Sequence, residues 1–205
     1  AKLYPGKDCF VFNGKRVSFK DYKTRCDQLA DGLIKAGIKS TDRVCVLAFN
    51  SVEYMELYGA AAKLGVIVLA INWRFHKAEV EYVINDCTPR FVFAGNDFQK
   101  TISEALPNLK SIENCFSIGA GEEADGFVPF ADLFTTPDSD NETEVLGDDG
   151  FVIIHTAAVA GEPKGALLSQ LNTIFAGILT QRQFNLNEED CHIGFLPLFH
   201  IAGLN

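Results

Sequence analysis

The chain has 205 residues, 47% hydrophobic and 22% charged, an ordinary globular composition that argues against wholesale disorder. Its 18 Lys and Arg face 27 Asp and Glu, a formal net charge of −9. Without clustered bases to neutralise phosphates, a nucleic-acid-binding module is disfavoured, and so is an anionic lipid surface. Residues 121 to 150 hold ten acids and no Lys or Arg, which leaves 17 acids against 18 bases elsewhere. That acidic segment also carries Pro129, Pro137 and four glycines, and it reads as a solvated surface excursion with little regular structure. No apolar run approaches the roughly 18 residues of a membrane span, so no transmembrane segment is expected. There is no basic start followed by an apolar signal region. Six cysteines (Cys9, Cys26, Cys45, Cys87, Cys115, Cys191) lie far apart without a CxxC pair, and are expected to be reduced thiols in a cytoplasmic protein.

In chain order, Cys9 to Phe12, the Asn13-Gly14 turn and Arg16 to Phe19 predict a hairpin. Ser18-x-x-Asp21 opens a helix whose Tyr22, Cys26, Leu29 and Leu33 share a face, with Gly37 as the stop. Arg43 to Ala48 is a strand, and Ser51 caps a helix running to about Lys63, closed by Gly65. Val66 to Ile71 is the next strand. A helix from Lys77 to Asp86 puts Val80, Val83, Ile84 and Cys87 on one face. Phe91 to Ala94 reads as a strand, Phe98 to Leu106 as a helix and Ile112 to Ile118 as a strand. Beyond the acidic segment come a strand at Phe151 to His155, a helix from Gln170 to about Arg182, and a strand at Cys191 to Leu196. Strands that are apolar throughout, alternating with one-face helices, predict an α/β fold: a mostly parallel sheet flanked by helices, with short β-hairpins.

Several chemistries fail on residues alone. Gly119-x-Gly121 follows a strand, but Glu122, Glu123 and Asp125 occupy the place of a pyrophosphate. There is no GxxxxGK[ST], HExxH or GxSxG, and His76, His155, His192 and His200 lack metal-ligand spacing, so no metal site is expected. The informative stretch is Ile154 to Ala166, IHTAAVAGEPKGA. Small residues after a buried strand let backbone N–H groups approach an anion, Thr156 adds a hydroxyl and Lys164 a cation. On spacing alone, a β-turn at Glu162-Pro163-Lys164-Gly165 joining two hairpin strands explains it equally well.

That stretch, HTAAVAGEPKGALLSQLN, resembles the adenylate-forming (AMP-binding) superfamily signature Y/F-T-S-G-T-T-G-x-P-K-G and the L-S/T-H-x-N element after it. Leu196 to Gly203 resembles the P-L-F-H-x-x-G element of acyl- and aryl-CoA ligases, and Ala48 to Cys87 is similar to the family's early region. The resemblance runs through nearly the whole chain in the right order. It implies part of the large N-terminal domain of an acyl-CoA synthetase, with ATP, Mg²⁺ and CoA as co-substrates. A carboxylic acid, first a medium- or long-chain fatty acid and second an aryl acid, would attack the α-phosphorus, and CoA would then displace AMP. The phosphate loop carried over is Thr156, Ala157, Ala158, Val159, Ala160, Gly161, Glu162, Pro163, Lys164 and Gly165. Thr156 would donate a hydroxyl, Gly161 and Gly165 would permit the backbone path, Pro163 would stiffen the turn and Lys164 would offer charge. His200 matches the histidine near the acyl pocket.

The departures are Ala157-Ala158-Val159-Ala160 in place of Ser-Gly-Thr-Thr, and Gln170 in place of the usual histidine. Each hydrogen bond to a phosphate lost in this way is worth about 1.5–3 kcal/mol. Backbone donors, Thr156 and Lys164 are expected to sustain ATP binding. The family's later motifs, including the adenine and ribose contacts, are not in this chain, so 1–205 reads as an N-terminal fragment that is inactive alone and contains no complete catalytic set. Two alternatives stay open: a carrier-protein adenylation domain, and a non-catalytic scaffold with a degenerate loop. Beyond the acid, ATP and CoA, a homodimer is a possible partner state.

Overall fold

The computed structural model describes residues 1–137, 143–156 and 162–204. The chain opens with a two-stranded antiparallel hairpin, β1 (Asp8–Phe12) and β2 (Lys15–Ser18). Asn13 and Gly14 between them both have positive φ, 49° and 76°, the geometry of a tight two-residue hairpin turn. Helix α1 (Phe19–Lys35) starts where the Ser18 hydroxyl accepts the Asp21 N–H at 3.1 Å.

A seven-stranded sheet follows: β3 (Arg43–Leu47), β4 (Ile67–Ala70), β5 (Phe91–Gly95), β6 (Asn114–Ile118), β7 (Phe127–Pro129), β8 (Gly150–His155) and β9 (Gly165–Ser169). The order across it is β7-β6-β5-β3-β4-β8-β9, parallel throughout except for β9, which pairs antiparallel with β8 at one edge. Helices α2 (Val52–Leu64), α3 (Lys77–Cys87) and α4 (Asn96–Ala105) make the crossovers. Ser51 caps α2 by accepting the Tyr54 N–H, and Gly65 ends it at φ 66°.

Strand alternation divides the apolar residues between two layers. Val44, Val46, Val68, Phe91 and Phe93 point to the face covered by α1 and α2. Cys45, Leu47, Leu69, Val92 and Ala94 point to the face covered by α3 and α4, where Val80, Val83, Ile84 and Ile102 are fully buried. Each such side chain contributes about 1.5–3 kcal/mol on burial. On the first layer Glu56 is buried, held by both nitrogens of an Arg25 fork whose guanidinium lies 4.0 Å over the Phe134 ring.

Two expectations change. The acidic segment is not a plain surface excursion: β7 extends the sheet edge, and Phe127, Phe130 and Leu133 are buried in the core. Hydrophobic burial at these three positions outweighs the local excess of charge. The described acids Glu122, Glu123, Asp125, Asp132, Glu144 and Asp148 are exposed, while Asp149 turns back to accept the Leu146 N–H at 2.7 Å. Second, Cys191 to Leu196 forms no strand. Its apolar residues Ile193 and Phe195 are exposed, and the following backbone is held instead by a side chain from the α2 entrance, described below.

Helix α5 (Gln170–Phe184) carries Leu171, Ile174, Phe175, Ile178 and Leu179 at one-face spacing, yet it buries no residue. With Leu167 of β9 they form an exposed apolar face at the sheet edge. Among the described residues no helix is long and apolar enough to cross a membrane.

Candidate functional site

An open cleft of about 1030 Å³ lies at the carboxyl ends of β4 and β8, the end of a parallel sheet where ligands settle. One wall comes from β4 and α3: Ala70, Asn72, Phe75, Ala78, Glu79 and Tyr82. The other comes from the β8–β9 hairpin, with Ile154, His155, Thr156, Glu162, Pro163, Ala166 and Leu168. Phe199, His200 and Ile201 close it. Residues 44 apart in sequence, Thr156 and His200, therefore share one cavity.

The Gly-Glu-Pro-Lys-Gly run closes a hairpin, but not as a β-turn at Glu162-Pro163-Lys164-Gly165. Gly165 is already the first residue of β9 and pairs with His155, so the connection runs from Thr156 to Lys164. The Thr156 N–H donates to the Lys164 carbonyl at 3.0 Å, and the Lys164 N–H reaches the Thr156 hydroxyl at 3.4 Å. These bonds fix the two ends of the loop. A Cβ at Gly165 would lie 2.9 Å from the Ile153 side chain and 3.4 Å from the His155 ring, so glycine here permits a close crossing. Lys164 is exposed and forms no ion pair among the described residues. Ala157, Ala158, Val159, Ala160 and Gly161 lie outside the described residues.

Helix α3 braces the loop. The Tyr82 phenol donates to the Pro163 carbonyl at 3.3 Å. Burial and the neighbouring Glu162 carboxylate push that phenol above its ordinary range, so it stays a donor. Glu79 is not free to bind cations with both oxygens: one accepts the His76 N–H at 2.8 Å, closing the start of α3.

The His200 segment is clamped by a residue just past the carboxyl end of β3, at the same end of the sheet as the cleft. The Asn50 side-chain amide donates to the Leu196 carbonyl and accepts the Leu198 N–H, each at 2.8 Å, taking the place of a strand partner. The Tyr58 hydroxyl donates to the Leu198 carbonyl at 2.9 Å, and Phe199 packs edge-on to Trp73. His200 Nδ1 accepts the Ala202 N–H at 3.2 Å at the start of the short helix α6 (Ile201–Leu204). That bond places the proton of the neutral ring on Nε2. The α3 wall and the Asn50 clamp escape a sequence reading, because only the sheet order brings β4 beside β8.

The chain is 27% identical over its full length to an indoleacetate–CoA ligase from Aromatoleum aromaticum, covering 40% of that protein. It is 27% identical over 91% of its length to a medium-chain-fatty-acid–CoA ligase from Ectopseudomonas oleovorans, covering 36% of it. A provisionally assigned long-chain-fatty-acid CoA ligase from Rhodopseudomonas palustris CGA009 has the same fold, with a TM-score of 0.90 and 39% identity over 99% of this chain and 50% of that one. The chain thus spans half or less of the length of these relatives. The AMP-binding enzyme family model matches residues 1–205, and the chain belongs to that family of adenylate-forming enzymes.

Proposed function

We propose that this chain is the N-terminal part of an ATP-dependent acid–CoA ligase acting on a medium- or long-chain fatty acid. The observation that carries the proposal is the single cleft joining the Thr156–Gly165 hairpin to His200. A carboxylate oxygen of the acid attacks the α-phosphorus of ATP, the bond to the oxygen bridging to the β-phosphate breaks, and pyrophosphate leaves; a Mg²⁺ ion, when bound, would share the phosphate charge. The CoA thiol then attacks the acyl carbon and AMP leaves with the bonding electrons. In this reading Lys164 and the backbone N–H groups of the loop neutralise the departing phosphates, and Thr156 holds the hairpin ends in place.

The fatty-acid assignment is supported by the cleft's apolar surface, from Phe75, Ala78, Ile154, Leu168 and Phe199. The exposed apolar face of α5 and β9 supports a longer polypeptide whose further residues cover it. The test is acid-dependent exchange of pyrophosphate into ATP by the full-length polypeptide, run over a panel of fatty and aromatic acids with thioester detection. Exchange with fatty acids and CoA thioester as product is expected. Preference for aromatic acids would replace the substrate assignment, exchange without thioester would indicate a carrier-bound acceptor, and no exchange with any acid would reject the ligase reading.

A further inference from the structure

Outside the loop, one cluster of side chains is put to no use by the ligase reading. Asp86 and Cys87 end α3, and His155 ends β8. The Cys87 Sγ lies 3.9 Å from the Asp86 Oδ2 and 3.9 Å from the His155 Nε2, and the Nε2 lies 3.8 Å from the same Oδ2. We propose that Asp86, Cys87 and His155 bind one divalent transition-metal ion of the zinc type.

The geometry carries the proposal. The three donor atoms form a nearly equilateral triangle, and the centre of a triangle of that edge is about 2.2 Å from each corner, inside the range of zinc bonds to S, N and O. Tetrahedral placement needs donor separations of about 3.4–3.6 Å, a closure of a few tenths of an ångström. The donor set, one thiolate, one imidazole and one carboxylate, suits zinc and not magnesium or calcium. Asp86 is 47% exposed, which gives an entry path and a side from which water completes the coordination.

Charge is consistent with this assignment. Carboxylate and thiolate together balance a 2+ ion. Arg43, whose guanidinium donates to Thr88 at 2.9 Å, opposes a second cation but favours the thiolate. Burial pushes the free thiol up to about 11, so coordination releases one proton from Cys87 to solvent. Burial also holds the His155 ring below its ordinary range, against the pull of Asp86, which keeps a nitrogen lone pair available at neutral pH. A bound ion would pin the end of α3 to the residue preceding Thr156.

Cobalt(II) titration of the chain, in a Cys9→Ser, Cys191→Ser background that removes the two more accessible thiols, tests the site. The expected result is uptake of one equivalent with thiolate-to-cobalt charge-transfer absorption, displaced by zinc. Cys87→Ser abolishes that absorption, and Asp86→Asn, a change at an exposed side chain that the fold tolerates, weakens affinity at least tenfold. A thermal melt of each variant without metal separates misfolding from lost ligation. No stoichiometric uptake, an absorption lacking the thiolate band, or a band unchanged in Cys87→Ser would mean that the trio is only a thiol–imidazole hydrogen bond, and would overturn the proposal.

Discussion

Tyr82 and Pro163, 81 residues apart in sequence, are joined by a 3.3 Å hydrogen bond from phenol to carbonyl, which fastens the hairpin loop to helix α3. A net hydrogen bond of this kind is worth about 0.5–1.5 kcal/mol. Tyr82→Phe in the full-length polypeptide is therefore expected to raise the KM for ATP about two- to tenfold with thermal stability nearly unchanged. An unchanged KM would show that the brace does not hold the loop in its binding shape.

Gly32 of α1 faces the turn that follows β7. A Cβ at that position would sit 1.6 Å from the Leu133 carbonyl oxygen, with no flexible group to move aside. Helix propensity alone favours Gly32→Ala by about 1 kcal/mol. The backbone clash reverses the sign, and a loss of about 2–3 kcal/mol is expected, seen as a fall of about 5–10 °C in the melting midpoint. A stabilised variant would mean that the 127–133 stretch does not dock on α1.

Much of this architecture is legible in the sequence because its signals are local. Ser51 and Gly65 bracket α2, and Val80, Val83, Ile84 and Cys87 mark the buried face of α3. The errors arise where distant partners decide. Ile193 and Phe195 alternate like strand residues, but the backbone after them is claimed by Asn50, some 146 positions earlier. Phe127, Phe130 and Leu133 recur every three residues inside the acidic run, a core signal outweighed in the reading by its charge. Of the site, the hairpin and His200 are visible as motifs. The opposing wall of Asn72, Phe75 and Tyr82 depends on β4 lying beside β8, which no local pattern encodes.

Asp27 ties α1 to α2. Partial burial pushes its carboxyl up, but ion pairs with Lys23 and with Lys63, the latter at 2.8 Å, hold it below the ordinary range. A folded pKa lower than the unfolded one adds stability above the unfolded value of about 3.9, and this is lost as pH falls through the folded pKa. Asp27→Asn should thus cost about 0.5–1 kcal/mol at pH 7 and progressively less in acid. Denaturant unfolding of both proteins at neutral and acidic pH checks this, and a difference that persists in strong acid would contradict it.

The apolar face of α5 and β9 predicts a contrast between the chain alone and a longer form. The chain alone should bind a hydrophobic dye and self-associate, and Phe175→Lys with Leu179→Lys, both at exposed positions, should suppress both. A polypeptide whose further residues cover the face should bind little dye. Equal dye binding by the two forms would show that the face stays open.

The central claim is that the Thr156–Gly165 hairpin handles the polyphosphate through Lys164 and backbone donors despite Ala157-Ala158-Val159-Ala160. The most direct measurement is acid-dependent pyrophosphate exchange by the full-length polypeptide, compared between wild type and Lys164→Ala. Losing one charge-assisted contact of about 1.5–3 kcal/mol predicts a fall of roughly 10- to 150-fold in kcat/KM for ATP. Exchange that proceeds with undiminished kcat/KM in the variant would contradict the account.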